Sequence, residues 1–470
     1  MQLYKWLTEA AKTRGSAKAL VYRDTYYSWR GILDRVEKRA HEFKSIGIRE
    51  GHWVGLMLGN VADFATLALA LSKLGATVVP LDPTTGARDL AVILDAAPLR
   101  GLITRPRGGV DAPPVPQKPT RAADVPESRR RLQGTLLTCT IYKRPKDLAP
   151  KGAAAVLFTS DSSGEPKGVL RTTANLEAGA ENIRTTLEVT PEDRILTAAP
   201  LYHAYGFDLG LVLALRHGAT LYLEDDIGPS RMVKTLREQE IDLFLGTPSL
   251  YAGLAKLPTA KPLKTKRARF LSAGSALPTQ VADAFRERWG VRVLSAYHTT
   301  ETQTVAIDRK GQNPESVGKA IDGVEVRAGR DGVIWVRSPA VAERSIGPGI
   351  APAAPGRVPV GGLDPEGWFR TGDLGRLDRG GRLFLTGRED DLVKVEGKRV
   401  ALGEVEGCLE SFAKVKAAKA RVITDPLGGP MVVARVVVVS KCGAEEIIDH
   451  CAKNLASYKV PRRIEFSEAL

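Results

Sequence analysis

The sequence predicts an α/β protein. A large N-terminal domain of parallel-rich sheets covered by helices carries a small β-rich unit, and a small α+β domain follows it. Three observations lead there. Apolar runs of strand length alternate with helical patterns from Trp53 to Leu102 and again from Arg194 to Ala296, which is the rhythm of βαβ units. At 470 residues the chain is longer than one ordinary core can organise. Beyond the polar, charged stretch Gly387-Arg388-Glu389-Asp390-Asp391 the pattern changes, as it does at a domain boundary. The division is therefore 1–389 and 390–470.

Taken in order, Trp53-Val54-Gly55-Leu56-Met57-Leu58 reads as a strand, Val61 to Leu74 as a helix, and Ala76-Thr77-Val78-Val79-Pro80-Leu81 as the next strand. Arg105 to Lys151 breaks the rhythm with prolines and the run Arg129-Arg130-Arg131, and reads as a surface excursion. Ala153 to Phe158 reads as a buried strand. Arg194 to Ala199, Ala219 to Leu223, Ile241 to Leu245, Arg269 to Ser272 and Val291 to Ala296 follow as strands. Short strands and many glycines from Val333 to Leu385 mark the β-rich unit. Past the boundary, helices at Leu402–Ser411 and Ala444–Leu455 bracket alternating strands at Val415–Ile423 and Met431–Val439.

Composition narrows the function classes. Hydrophobic residues at 43% and charged residues at 26% describe a soluble globular chain. The 68 basic side chains exceed the 54 acidic ones by 14, which favours an anionic partner: a nucleotide, coenzyme A, an acidic carrier protein or a nucleic acid. No zinc finger, basic zipper or RNP-type aromatic motif is present, so nucleic acid is set aside. Four cysteines without C-x-x-C spacing exclude a disulfide framework or a structural zinc site. The N-terminus lacks a signal-like apolar core and no stretch reaches membrane-span length, so the cytoplasm is expected. Monomer and homodimer fit the sequence equally.

The chemistry concentrates where strands end. Thr159-Ser160-Asp161-Ser162-Ser163-Gly164-Glu165-Pro166-Lys167-Gly168 follows a strand with hydroxyls, glycines and one lysine, the composition of a phosphate cradle, although without Walker spacing. Other strands run straight into polar turns: Leu201-Tyr202-His203, Gly246-Thr247-Pro248, Ser272-Ala273-Gly274 and Tyr297-His298-Thr299-Thr300-Glu301. In open α/β sheets ligands gather at the carboxyl ends of strands, so these turns are expected to converge.

These motifs, followed by Trp368-Phe369-Arg370-Thr371-Gly372-Asp373 and then Gly387-Arg388-Glu389-Asp390-Asp391, stand in an order that resembles the adenylate-forming superfamily of acyl-CoA synthetases, adenylation domains and luciferases. The resemblance runs from the N-terminal helices to Tyr458-Lys459-Val460-Pro461. It implies ATP-dependent activation of a carboxylic acid to an acyl-adenylate, then transfer to the thiol of coenzyme A or of a carrier-protein phosphopantetheine, with Mg2+. It implies that Thr159, Ser160, Ser162, Ser163 and Lys167 hold the β- and γ-phosphates, with Gly164 and Gly168 in the loop. Thr300 would meet the α-phosphate and Glu301 would hold the metal. Tyr297 would stack on adenine, with Gly274, Ser275 and Ala276 along the base. Asp373 would take the ribose hydroxyls and Arg388 would assist the ribose or phosphate region.

By the same resemblance Asp390 is the hinge of a mobile C-terminal domain, and Gly397, with Arg399 beside it, lines the thiol channel. Tyr202, His203, Tyr205, Gly206, Phe207, Thr247 and His298 fall where the family builds its acyl pocket. His203 either gates that pocket or neighbours the carboxylate. Tyr205 stands where amino-acid-activating members carry an aspartate, so an aryl or fatty acid is preferred to an amino acid. Three features depart from the family pattern. Asp161 replaces a loop glycine, His298 replaces the glycine after Tyr297, and the sequence closes at Leu470, ahead of the Gly-Lys pair the family carries. The first and third favour, as a second reading, an adenylate-binding or carrier-docking homologue with impaired turnover.

Overall fold

The computed structural model describes residues 2–105, 126–143, 148–160, 166–258, 262–263, 268–313, 315–347, 363–388, 393–395, 398–400, 402–425 and 429–467. Two large sheets dominate. The first runs Lys319–Ala320, Gln303–Ile307, Val293–Thr299, Arg269–Ser272, Leu243–Gly246, Arg194–Thr197, Thr220–Leu223, Lys18–Tyr22, Thr25–Ser28. Its centre is parallel and both its edges are antiparallel. The second runs Arg344–Ile346, Pro166–Thr172, Ala153–Ser160, Thr77–Leu81, Trp53–Met57, Leu99–Thr104, Thr138–Tyr142, Pro126–Arg131.

The helix Ala62–Lys73 is buried along its whole middle, from Phe64 to Ser72. It packs on strands of both sheets and on the helices Gln2–Arg14 and Trp29–Ser45. An all-apolar helix surface has no solvent face to offer, so this helix can only lie inside the layers. The main core is one continuous cluster that draws side chains from both sheets.

The excursion read over Arg105 to Lys151 is corrected in part. Pro126–Arg131 and Thr138–Tyr142 are strands that extend the second sheet antiparallel. Cys139, Thr140, Ile141 and Tyr142 are all buried, as in an inner strand, while the arginines of the run sit exposed on the edge strand.

A four-stranded antiparallel sheet, Glu325–Ala328, Val333–Arg337, Phe369–Leu377 and Leu383–Arg388, forms the β-rich unit. Val393–Val395 pairs with Lys398–Val400. The helices Leu402–Glu410 and Ala444–Asn454 cover a sheet of Val415–Asp425, Gly429–Val438 and Arg463–Phe466, with a core of its own.

Candidate active site

Polar turns at the strand ends meet around a cavity of about 510 Å³. Thr159, Tyr202, His203, Tyr205, Gly274 and Thr300 all line it, with Thr247 and His298 beside them. The convergence follows from the topology, because neighbouring parallel strands all deliver their carboxyl ends to one side.

Each contributor is held by local chemistry. The strand Ala153–Ser160 turns back as Pro166–Thr172, and this pairing sets Lys167 opposite Thr159. Asn60 fixes the segment carrying Tyr202 and His203. Its amide nitrogen donates to the carbonyls of Thr197 and Ala199 at 3.4 and 3.2 Å, and its side-chain oxygen accepts from Leu201 N–H at 2.8 Å. Gly274 lies at φ +96°, a backbone position that a side chain would strain. Thr247 caps the helix Pro248–Ala255 through its hydroxyl.

The turn between Val293–Thr299 and Gln303–Ile307 is held from several sides. The Thr299 and Thr302 hydroxyls lie 2.9 Å apart, and Thr302 N–H donates to Thr299 Oγ1 at 3.0 Å. Gln303 adopts φ +61° and its amide donates to the carbonyls of Asn175 and Ala340. Thr300 lines the cavity, while Glu301 is buried. Because this turn joins two strands, Thr300 and Glu301 do not cap a helix.

Beneath His298 lies a buried charge cluster. The Arg171 guanidinium, 0% exposed, stands 3.8 Å from Asp208 Oδ2, and His298 Nε2 is 3.6 Å from the same oxygen. His298 Nδ1 is 3.0 Å from Thr304 Oγ1. Neither Asp208 oxygen has a hydrogen-bond partner among the described residues. Burial pushes the Asp208 carboxyl up to about 6, with the charge of Arg171 opposing. Asp208 belongs to the π-helical stretch Phe207–Val212 and does not line the cavity.

Two lysines reach the cavity from the C-terminal unit. Lys398 Nζ is 2.5 Å from Asp82 Oδ2 and lies over the ring of Tyr458. Lys459 Nζ is 3.5 Å from Asp89 Oδ2 and is almost wholly buried. Burial works to raise the Asp82 carboxyl, but the charge and hydrogen bond of Lys398, with those from Thr84, outweigh it and hold it below the ordinary value. None of these four stood out in the sequence, although Lys398 directly follows Gly397 and Lys459 lies in Tyr458-Lys459-Val460-Pro461.

Comparison with known proteins matches the sequence signature described as "AMP-binding enzyme" to residues 7–344, and that of "AMP-binding enzyme C-terminal domain" to residues 404–470. The chain belongs to the AMP-binding enzymes. Among its relatives is a 3-[(3aS,4S,7aS)-7a-methyl-1,5-dioxo-octahydro-1H-inden-4-yl]propanoyl:CoA ligase of Rhodococcus jostii, 26% identical over 99% of this chain and 94% of that one. Another is a 2-succinylbenzoate–CoA ligase of Bacillus licheniformis, 25% identical over 99% and 96%. The fold is that of o-succinylbenzoate CoA synthetase from Bacillus subtilis bound with its product analogue OSB-NCoA, with TM-score 0.81, 23% identity and coverage of 99% and 95%. The resemblance to adenylate-forming acid–thiol ligases thus agrees with the family signatures and with the relatives, and neither relative favours a binding-only homologue.

Several expected site residues of this AMP-binding enzyme fall elsewhere. Tyr297 does not line the cavity: it is 3% exposed, and its hydroxyl donates to Asp373 Oδ2 at 2.5 Å. Phe207 is fully buried in the main core, at the start of the π-helical stretch. Gly206 is also buried, and a side chain there would meet the carbonyl oxygens of Pro200 and Ala199 at 2.3 and 2.5 Å. Gly168 serves the sheet, because a Cβ would lie 2.7 Å from Ile346 and 2.8 Å from Val156. Ser275 and Ala276 follow Gly274 in its turn without lining the cavity.

Asp373 is buried and stands directly across from Arg388 in antiparallel register. The backbones of the two residues read as ribose contacts are therefore neighbours. Asp161, Ser162, Ser163, Gly164, Asp390 and Gly397 lie outside the described residues, as do the side chains of Ser160, Arg388 and Arg399.

The donor set suits a nucleotide with its metal. Hydroxyls of Thr159 and Thr300 share the cavity and Lys167 is paired across from Thr159. Among the described residues there is no group of three metal-ligating side chains; Glu301 would hold a metal as a single carboxylate, with phosphate oxygens of the ligand beside it. Magnesium is commonly held in that manner. Among the described residues no helix is long and apolar enough to cross a membrane.

Proposed function

We propose that this chain activates an aryl or fatty carboxylic acid with ATP and passes the acyl group to coenzyme A, with a carrier-protein phosphopantetheine as the other acceptor of the same chemistry. In the first step a carboxylate oxygen attacks the α-phosphorus of ATP, the bond to the bridging oxygen breaks and pyrophosphate leaves. In the second the thiol sulfur attacks the acyl carbon, loses its proton and expels AMP. Both steps bring anions together, so the protein contributes positioning and positive charge.

One observation carries the reading. A single cavity is lined by Thr159 and Thr300 on one side, by Tyr202, His203 and Tyr205 on another, and by Lys398 and Lys459 from the C-terminal unit. We assign the triphosphate to Thr159 and Lys167 with the loop after Thr159, and the α-phosphate to Thr300. Asp373 and Arg388 take the ribose. Magnesium, held by Glu301, would neutralise phosphate oxygens when bound. The acid lies against Tyr202, His203, Tyr205 and His298. Tyr205 brings a ring and a hydroxyl donated to Leu271 O at 3.2 Å, and Asp208 is turned to Arg171. That arrangement supports an acid without an α-ammonium group.

We keep 1–389 and 390–470 as the two domains, with Asp390 as the hinge between the two steps. Among the described residues Cys139, Cys442 and Cys451 are free thiols, which supports a reducing, cytoplasmic setting. The test is acid-dependent exchange of pyrophosphate into ATP over a panel of aryl, fatty and amino acids, followed by thioester formation with coenzyme A. Exchange with an aryl or fatty acid is expected. Exchange with amino acids only, or with no acid, overturns the proposal.

A further inference from the structure

Arg171 is an expensive residue to bury. A cation taken wholly out of water costs several kcal/mol unless hydrogen bonds and counter-charge compensate. Here hydrogen bonds compensate at Nη1 and Nη2, while Nε has no hydrogen-bond partner among the described residues. Arg171 Nη1 donates to the carbonyls of Glu301 and Ala340 at 3.3 and 2.9 Å, and Nη2 donates to the carbonyl of Thr300. The fork thus grips two consecutive carbonyls of the turn that carries Thr300 and Glu301. Asp208 faces it as counter-charge without taking a hydrogen bond of its own.

The strand that supplies this grip, Pro166–Thr172, also carries Lys167. Its continuation, the helix Thr173–Leu187, holds the other end of the turn. There Asn175 O accepts from Gln303 at 2.6 Å, and the Asn175 amide donates to Pro339 and Val341 carbonyls at 2.9 Å each. Gln303, in a left-handed conformation, keeps it only because its surroundings determine it. A planar guanidinium is the side chain able to serve several carbonyls in one fixed geometry, whereas an ammonium is a point charge.

We infer that Arg171, backed by Asp208, is a positioning residue that fixes the Thr300–Glu301 turn relative to the strand bearing Lys167, and so sets how the protein receives the metal and the α-phosphate. The inference rests on the reading of Glu301 as the metal-holding carboxylate. It adds a residue whose own side chain does not line the cavity.

Calorimetry on the full chain tests it with two probes, ATP titrated at increasing Mg2+ and AMP without metal. Residues that orient a metal site from behind typically cost 10–100-fold when removed, so Arg171→Met is expected to weaken Mg2+-dependent ATP binding about tenfold and leave AMP binding within about twofold. Arg171→Lys, which keeps the charge and loses the fork, is expected to recover part of the loss. It carries the test alone if Arg171→Met does not fold. Equal losses for both probes would reduce Arg171 to a scaffold residue, and unchanged binding of both would remove it altogether; either result overturns the inference. Glu301→Gln separates the two claims. If Glu301→Gln has no effect on Mg2+-dependent binding, the metal reading falls and the inference falls with it. If Glu301→Gln is impaired while neither Arg171 variant is, only the inference fails.

Discussion

Lys398, on the C-terminal unit, sets its ammonium 2.5 Å from the carboxylate of Asp82, which follows the strand Thr77–Leu81 of the second sheet. Both side chains are mostly covered, so the pair is screened far less than a surface ion pair. A double-mutant cycle of Asp82→Asn and Lys398→Gln on the unfolding midpoint should give a coupling of about 1–2 kcal/mol. The Asp82 carboxyl lies below its ordinary value, so its contribution is present above that value and is lost as pH falls through the lowered one. The coupling should therefore be undiminished at about pH 5. A cycle that closes to zero there would show the contact to be energetically idle.

Asp208 gives the opposite pH sign. Its carboxyl is raised from 3.8 to about 6 in the folded chain. A raised acid favours folding fully below the unfolded value, and that contribution is lost as pH rises through the folded one. Arg171, the His298 ring and, through Arg171, Glu301 are the charged or titratable groups around it. Between about pH 4 and 6 the wild-type chain should lose up to about 3 kcal/mol relative to Asp208→Asn. Thermal unfolding of both proteins across that window measures it, and parallel pH profiles would refute the assignment.

The hydrogen bond from Tyr297 to Asp373 links the strand Val293–Thr299 to the β-rich unit. Removing it with Tyr297→Phe leaves a buried carboxylate short of one donor, worth about 1–2 kcal/mol. If Asp373 takes the ribose, AMP should bind roughly tenfold more weakly to the variant. A 2′,3′-dideoxy analogue should bind variant and wild type alike. A matching loss for the analogue would disconnect Asp373 from the sugar.

Asn60 offers a test of the proposed acyl wall. Asn60→Ala strips partners from three buried backbone groups of the Thr197–Leu201 segment, at about 1–3 kcal/mol for each group left unsatisfied. The Michaelis constant for the acid should rise several-fold while that for ATP stays near wild type. A change confined to ATP would sink the idea that this asparagine supports Tyr202 and His203.

Much of the fold was readable because its strands are short apolar runs ending in polar turns, and the strand at Arg269–Ser272 falls where the pattern placed it. The same pattern located Thr159, Tyr202, His203, Gly274, His298 and Thr300, all of which meet at one cavity. What stayed hidden depends on long-range pairing. Arg171 reads as a charge interrupting an apolar strand, and its partners are carbonyls 129 to 169 residues away, which no side-chain pattern can announce. Asp82 and Lys398 are 316 residues apart. Phe207 was placed in the cavity wall by the family resemblance, whereas it begins a π-helical stretch, Phe207–Val212, that is buried throughout. The strand at Pro126–Arg131 was masked by proline and arginine, residues that edge strands tolerate, and the short run Thr138–Tyr142 was passed over with it.

The strand Pro166–Thr172 has one more effect. Lys167 and Arg171 sit four residues apart on a single extended backbone, roughly 13 Å at strand rise. That span is paired on both sides, by Ala153–Ser160 and by Arg344–Ile346, so it can neither stretch nor slip. On the proposed assignment of Lys167 to the triphosphate and Thr300 to the α-phosphate, it acts as a gauge block between the nucleotide's tail and the reacting phosphorus. That interval is set within the second sheet alone.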